Sequence, residues 1–300
     1  MKAIRRTGTL ATGLLAALSA LALSGLGCAD PESQPHEEQS RCGTADPHAF
    51  VITKLGFTRV DPMNGTAPGF DLDGKVSDGT DAASCLKKDF VGPFGEKGID
   101  NQLASLIPDV EKVLGNTVDG LIQGAIDNGD LLILLEVGGA PDLRNDDCAD
   151  LTVKIGQGRP TLGTDGVIEA YQTFDLDPTG EVSHGTGGKI ESGILTIGPF
   201  ELAIPIAIFD VSFTLHVHDA VFRMRVTGED GEVRSGYLGG GVVPQEILDG
   251  VGQGAGVDQY IPVLSIVLNN STDLAVDAEG TCTQLSAALE IHATEAFVRE

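Results

Sequence analysis

From Leu151 to Leu238 the chain is a succession of short runs rich in Val, Ile, Leu, Thr and Phe, cut at close intervals by Gly, Pro and Asp. Such a stretch has no room for long helices and must bury its apolar side chains from strands. The alternation is sharpest in two places. Phe209, Val211, Phe213, Leu215 and Val217 share one face of a strand, and so do Phe222, Met224 and Val226. The intervening "HDA" reads as a hairpin turn. Further strands are expected at Ala49–Val60, Leu131–Val137, Leu151–Ile155, Gly166–Phe174, Lys189–Ile197, Phe200–Asp210 and Glu232–Leu238. The alternating Leu285, Ala287, Leu289, Ile291 and Ala293 predict one more near the end of the chain.

Between the first two strands the period changes. Ile99, Leu103, Leu106, Ile107 and Val110 recur at threes and fours, and Val118, Leu121, Ile122 and Ala125 continue the pattern. This predicts two amphipathic helical segments, broken near Gly115 and bent at Pro108. Short helices are also expected at "PQEILDGVGQ", with Pro244 in the first turn, and at "DQYIPVLSIVL". The fold class that follows is mainly β: an antiparallel β-sandwich with a helical insertion over about residues 98–128 packed on it. No linker separates the parts, so residues 48–300 are expected to form a single domain.

The N-terminus carries an address. Lys2, Arg5 and Arg6 precede a run without charge that lasts until Asp30, the pattern of a secretory signal peptide over residues 1–27. "LSGLGC" resembles the lipobox of bacterial lipoproteins, in which small residues precede a lipid-bearing cysteine; here that residue is Cys28. Ala29 follows it, which by resemblance to enterobacterial sorting implies the outer membrane. Residues 28–47 have the Pro, Glu, Gln and Ser content of a tether.

The chain has five cysteines: Cys28, Cys42, Cys85, Cys148 and Cys282. With Cys28 lipidated, four remain for two disulfides, and three pairings are open. Chain proximity and strand placement favour Cys42–Cys85 with Cys148–Cys282. After cleavage 16 basic residues stand against 44 acidic ones, a net charge of −28. That excludes nucleic acid, which is held by displacing counterions with Lys and Arg. Contact with a membrane is then expected through the lipid anchor only, and the partner is an extracellular or envelope ligand.

Acidic residues crowd one stretch, "GFDLDGKVSDGTDAASC". Calcium takes six to eight oxygen ligands. Asp71, Asp73, Asp78, Asp81 and Asp89 supply carboxylates within short reach, and Asp100 and Asn101 follow at the start of the helical stretch. These seven are the candidate Ca²⁺ ligands, although the spacing is not that of an EF-hand. The tetrapeptide Phe-Asp-Leu-Asp recurs at Phe174–Asp177, where it reads as a strand end with its aspartates in water. His216 and His218 form an H-x-H pair that needs a third ligand, His184 or Asp219, to hold zinc or iron. The Gly-rich "SGYLGGGVVPQE" lacks the features of a phosphate loop and reads as a bulge or a tight turn into a helix.

No nucleophile–base motif stands out, and the absence of Trp with only three Tyr disfavours a sugar site. The expected function is a non-enzymatic exported envelope lipoprotein that binds a ligand or partner and is stabilised by calcium. The alternative is an extracellular hydrolase using a carboxylate pair. The segments "APGFDLDG", "GIDNQLASLIP", "GDLLILLEV", "GPFELAIPI" and the late Cys strand together resemble uncharacterised secreted lipoproteins of myxobacteria and related bacteria. The resemblance implies export and a β-rich fold, and no activity.

Overall fold

The computed structural model describes residues 42–114, 118–208, 211–253 and 259–299. The expected signal peptide, the lipidation site at Cys28 and most of the tether lie outside them. The order of elements is β1 (His48–Phe57), α1 (Leu103–Leu114), α2 (Val118–Asn128), β2 (Leu132–Gly138), β3 (Asp146–Gln157), β4 (Gln172–Leu176), β5 (Ser183–Glu191), β6 (Ile194–Ile208), β7 (Val211–Arg225), β8 (Arg234–Val242), α3 (Pro244–Val251), α4 (Ile261–Asn269), β9 (Leu274–Val276) and β10 (Cys282–Arg299).

The ten strands belong to one mixed sheet. Eight of them pair antiparallel in a closed circuit. It runs from β1 through β2, β3, β5, β6, β7, β8 and β10, and β10 pairs back onto β1 through Phe50↔Glu295 and Phe57↔Leu289. Strand β4 joins the end of β3 to the end of β10, and its pairing with β10 is parallel. The expected picture of two facing sheets therefore gives way to one sheet that returns to its own first strand. Closure removes free edges, which an open sheet must otherwise blunt.

The alternation at Phe213, Leu215 and Val217 forms a strand as expected, but "HDA" does not turn. β7 runs on through it, and the irregularity is absorbed by Asp219 at φ 49° with register shifts opposite it in both neighbours. The hairpin partner of β7 is β6, paired as far as Ile208↔Val211. The stretch Lys189–Ile197, expected as one strand, is split by a turn at Ser192 and Gly193, both at positive φ. Gly166–Phe174 is strand only in its last residues.

Helix α1 begins where Asn101 accepts a hydrogen bond from the Ala104 N–H, a capping interaction, and runs through Pro108. The start of α2 is fixed to the end of β1. Asp119 accepts the Phe57 N–H at 3.0 Å, and Arg59 bridges Asp119 (2.6 Å) and Glu111 of α1 (2.5 Å). The apolar faces of all four helices turn toward the sheet strands β1, β10, β8, β7 and β6.

The four expected cysteines do pair, but the partners differ from expectation: Cys42 with Cys148 and Cys85 with Cys282. Nearness along the chain misleads here. Cys148 opens β3, and Cys282 opens β10, where β9 and the turn at Ala82–Ser84 lie beside it. Strand pairing, not sequence distance, sets who meets whom.

Candidate functional site

Two features stand out, an acidic cluster and an apolar cavity. The acidic loop between β1 and α1 is held by isolated bridges, Phe70↔Asp100, Phe90↔Ile99 and Asp78↔Lys88. These fold "FDLD" back against "IDN". Gly98, at φ +73°, permits the approach, since a Cβ there would lie 2.3 Å from the Lys75 carbonyl. One ligand oxygen from each of Asp71, Asp73 and Asp100 then lies within 4.8 Å of the others, an arrangement that could hold a metal ion. Asp71 is exposed, Asp73 half-buried and Asp100 only 3% exposed.

Asp100 accepts the N–H groups of Leu72 (2.7 Å) and Asp73 (3.3 Å). Burial nonetheless pushes its carboxyl up to about 8, aided by the nearby charges of Asp73, Asp273 and Asp89. Asp89 is hydrogen-bonded to Asp100 and is itself raised, first by burial and then by Asp73 and Asp71. Lys75 reaches Asp73 at 3.4 Å.

Sequence reasoning missed a further member. Asp273, between α4 and β9, is 4% exposed and is pushed up to about 6, chiefly by burial and further by Asp89 and Asp73. It is separated from the loop by most of the chain, and no motif marks it. Three of the candidate ligands spend their side chains elsewhere. Asp78 accepts from the backbone and hydroxyl of Thr80. Asp81 caps the short turn at Ala82–Ser84. Asn101 is fully buried with Thr58, Pro68 and Ala104 as partners. The second Phe-Asp-Leu-Asp is a strand end: Phe174 is buried, Asp175 pairs with Arg299, and Asp177 closes a turn on Thr179.

The two histidines of "HVHD" find carboxylates on separate elements. His216 meets Glu246 of α3 at 3.2 Å, and His218 meets Glu201 of β6 at 2.8 Å. The Gly-rich stretch is strand, not a turn: Gly239, Gly240 and Gly241 pair in register with β10, whereas toward β7 only Gly239 (with Val221) and Gly241 (with His218) pair, across the irregularity at Asp219, and α3 starts only at Pro244.

Gly239 and Gly240 form part of the floor of a cavity of about 190 Å³. Its floor comes from β1, β10, β8, β7 and β6, and its roof from the inner faces of all four helices and Tyr260. No polar surface faces it. Gly239 also connects the two features, because Phe70 of the acidic loop lies on it: a Cβ at 239 would be 2.6 Å from the Phe70 ring. A shallower opening of about 490 Å³ lies at the acidic loop, lined by Asp78, Asp81, Lys88, Asp89 and Lys97 among others.

No helix among the described residues is long and apolar enough to cross a membrane. Comparison with protein-family models, with curated proteins and with solved structures returns no match.

Proposed function

We propose that this chain is a non-enzymatic, exported envelope lipoprotein, tethered through Cys28, that binds a ligand in its interior. One observation carries the reading. The cavity between the sheet and the helices is walled by aliphatic side chains and the rings of Phe57, Phe213 and Tyr260, and no polar surface faces it. Such a site can hold a molecule but has nothing with which to transform it. The two disulfides fit an oxidising compartment. Calcium at Asp71, Asp73 and Asp100 would neutralise carboxylates that otherwise repel one another, and so stabilise the loop that rests on the cavity floor.

Replacing Cys28 by Ala should release the protein from the membrane fraction and remove the mass of the lipid. Unchanged fractionation together with unchanged mass sinks the tether. The hydrolase reading draws on one observation, the raised carboxyls of Asp89, Asp100 and Asp273. Asp100 and Asp273 are buried and absent from the lining of either opening, which favours the binding reading. Turnover of an ester or glycoside that disappears in Asp89→Asn would reverse that preference.

A further inference from the structure

We infer that the cavity takes an aliphatic chain whose head group is uncharged, drawn from a lipid surface. The inference rests on the ligand-binding reading above and names the class of ligand.

Three observations lead to it. The cavity, at about 190 Å³, is similar in size to an apolar void of roughly 150 Å³ that stays dry and binds a hydrocarbon. Water needs two to four polar partners, and the lining offers none. The occupant must therefore be a group with no hydrogen bonds to lose.

The roof shows how such a group would arrive. Helix α4 turns Leu264 and Leu268 inward to the cavity, while Val263 and Ile266 on its outer side are exposed. A short surface helix that is apolar on both sides offers a chain a route that crosses no polar surface. The adjacent α3 contributes Ile247 and Leu248 to the same roof.

Charge selects the head group. The whole chain carries a formal net charge of −25. With no cation in the cavity lining, a carboxylate or phosphate head would meet repulsion at the mouth and no partner inside. An alcohol or glyceride head can remain in water.

The test is a titration of the full mature chain carrying Cys28→Ala, so that no lipid of its own is present. The probes are 1-hexanol, 1-octanol, 1-decanol and decanoate, with binding followed by calorimetry at pH 8. Affinity should rise about fourfold for each added methylene among the alcohols, and decanoate should bind more weakly than 1-decanol. Leu264→Trp and, as a second filler on the floor, Ala287→Leu should each lower 1-decanol affinity at least tenfold while retaining the circular dichroism of wild type. Affinity that ignores chain length overturns the inference. So does unaltered binding in whichever filled variant folds. If the lipidated wild type excludes 1-decanol and Cys28→Ala admits it, the occupant is the protein's own acyl chain and a free lipid is ruled out. Loss of the tether would show in membrane fractionation alone, independently of this titration.

Discussion

Asp273 holds Ser286 by two hydrogen bonds, accepting the backbone N–H at 2.8 Å and the hydroxyl at 2.5 Å. The same hydroxyl oxygen accepts the Gln102 N–H at 2.8 Å. One buried serine on β10 thus joins the segment after α4 to the segment that starts α1, and both helices roof the cavity. Ser286→Ala leaves the Gln102 N–H without this partner and takes one from Asp273. A loss of about 1–3 kcal/mol is expected, read as a lower urea midpoint with an unchanged slope. A midpoint equal to wild type would show that the link bears no stability.

The acidic cluster should respond to calcium and to pH together. In chelator, burial keeps the Asp100 and Asp273 carboxyls up at about 8 and about 6, above the ordinary carboxylate range. The folded chain then holds protons that the unfolded chain has released. The stability they contribute is full below about pH 4 and is lost as pH rises through about 6 and then about 8. Bound calcium takes the place of those protons. The gap in melting temperature between calcium and chelator should therefore widen from pH 5 to pH 8. Saturation at 100 times the dissociation constant corresponds to about 2.7 kcal/mol. A gap that is absent, or that narrows with pH, contradicts the assignment.

Asp100→Asn separates the two roles of that residue. The amide stays neutral at every pH and can still accept from Leu72. In chelator at pH 8 the variant should melt higher than wild type, and it should no longer respond to calcium. Asp73→Ala should blunt the response without the gain in chelator. A calcium response retained in Asp100→Asn would place the ion elsewhere.

The glycines of β8 make a steric prediction. A Cβ at Gly240 would sit 2.5 Å from a Val217 methyl and 2.8 Å from the His218 carbonyl, so Gly240→Ala should cost about 1–3 kcal/mol. At Gly124 in α2 a Cβ meets nothing within 4 Å, and Gly124→Ala should add about 0.5–1 kcal/mol by lowering the freedom of the unfolded chain. Chemical denaturation of the pair checks both signs.

The bridge between Cys85 and Cys282 spans 197 residues. Its removal in a Cys85→Ser, Cys282→Ser double variant should cost about 2–5 kcal/mol. It should also weaken calcium binding, because the acidic loop is then free to open at one end. A variant with wild-type calcium affinity would show that the backbone bridges alone hold the loop.

Much of this molecule could be read along the chain, because strands and helices declare themselves by period. The alternation of Phe213, Leu215 and Val217 announced a strand with one apolar face, and that face became a cavity wall. The threes and fours from Leu103 announced a helix with an inner side. Asp71, Asp73 and Asp100 could be nominated because they lie within one loop and its exit. What the chain could not disclose depends on contacts across long separations. Closure of the sheet rests on β1 meeting β10. The disulfide partners follow from which strand openings become neighbours. Asp273 joins the acidic cluster only because β10 carries Ser286 beside it. A local pattern determines which face of an element seeks apolar company, since the backbone repeat fixes side-chain direction. Which faces meet, and whether a space is left between them, is settled only by the packing of the whole chain.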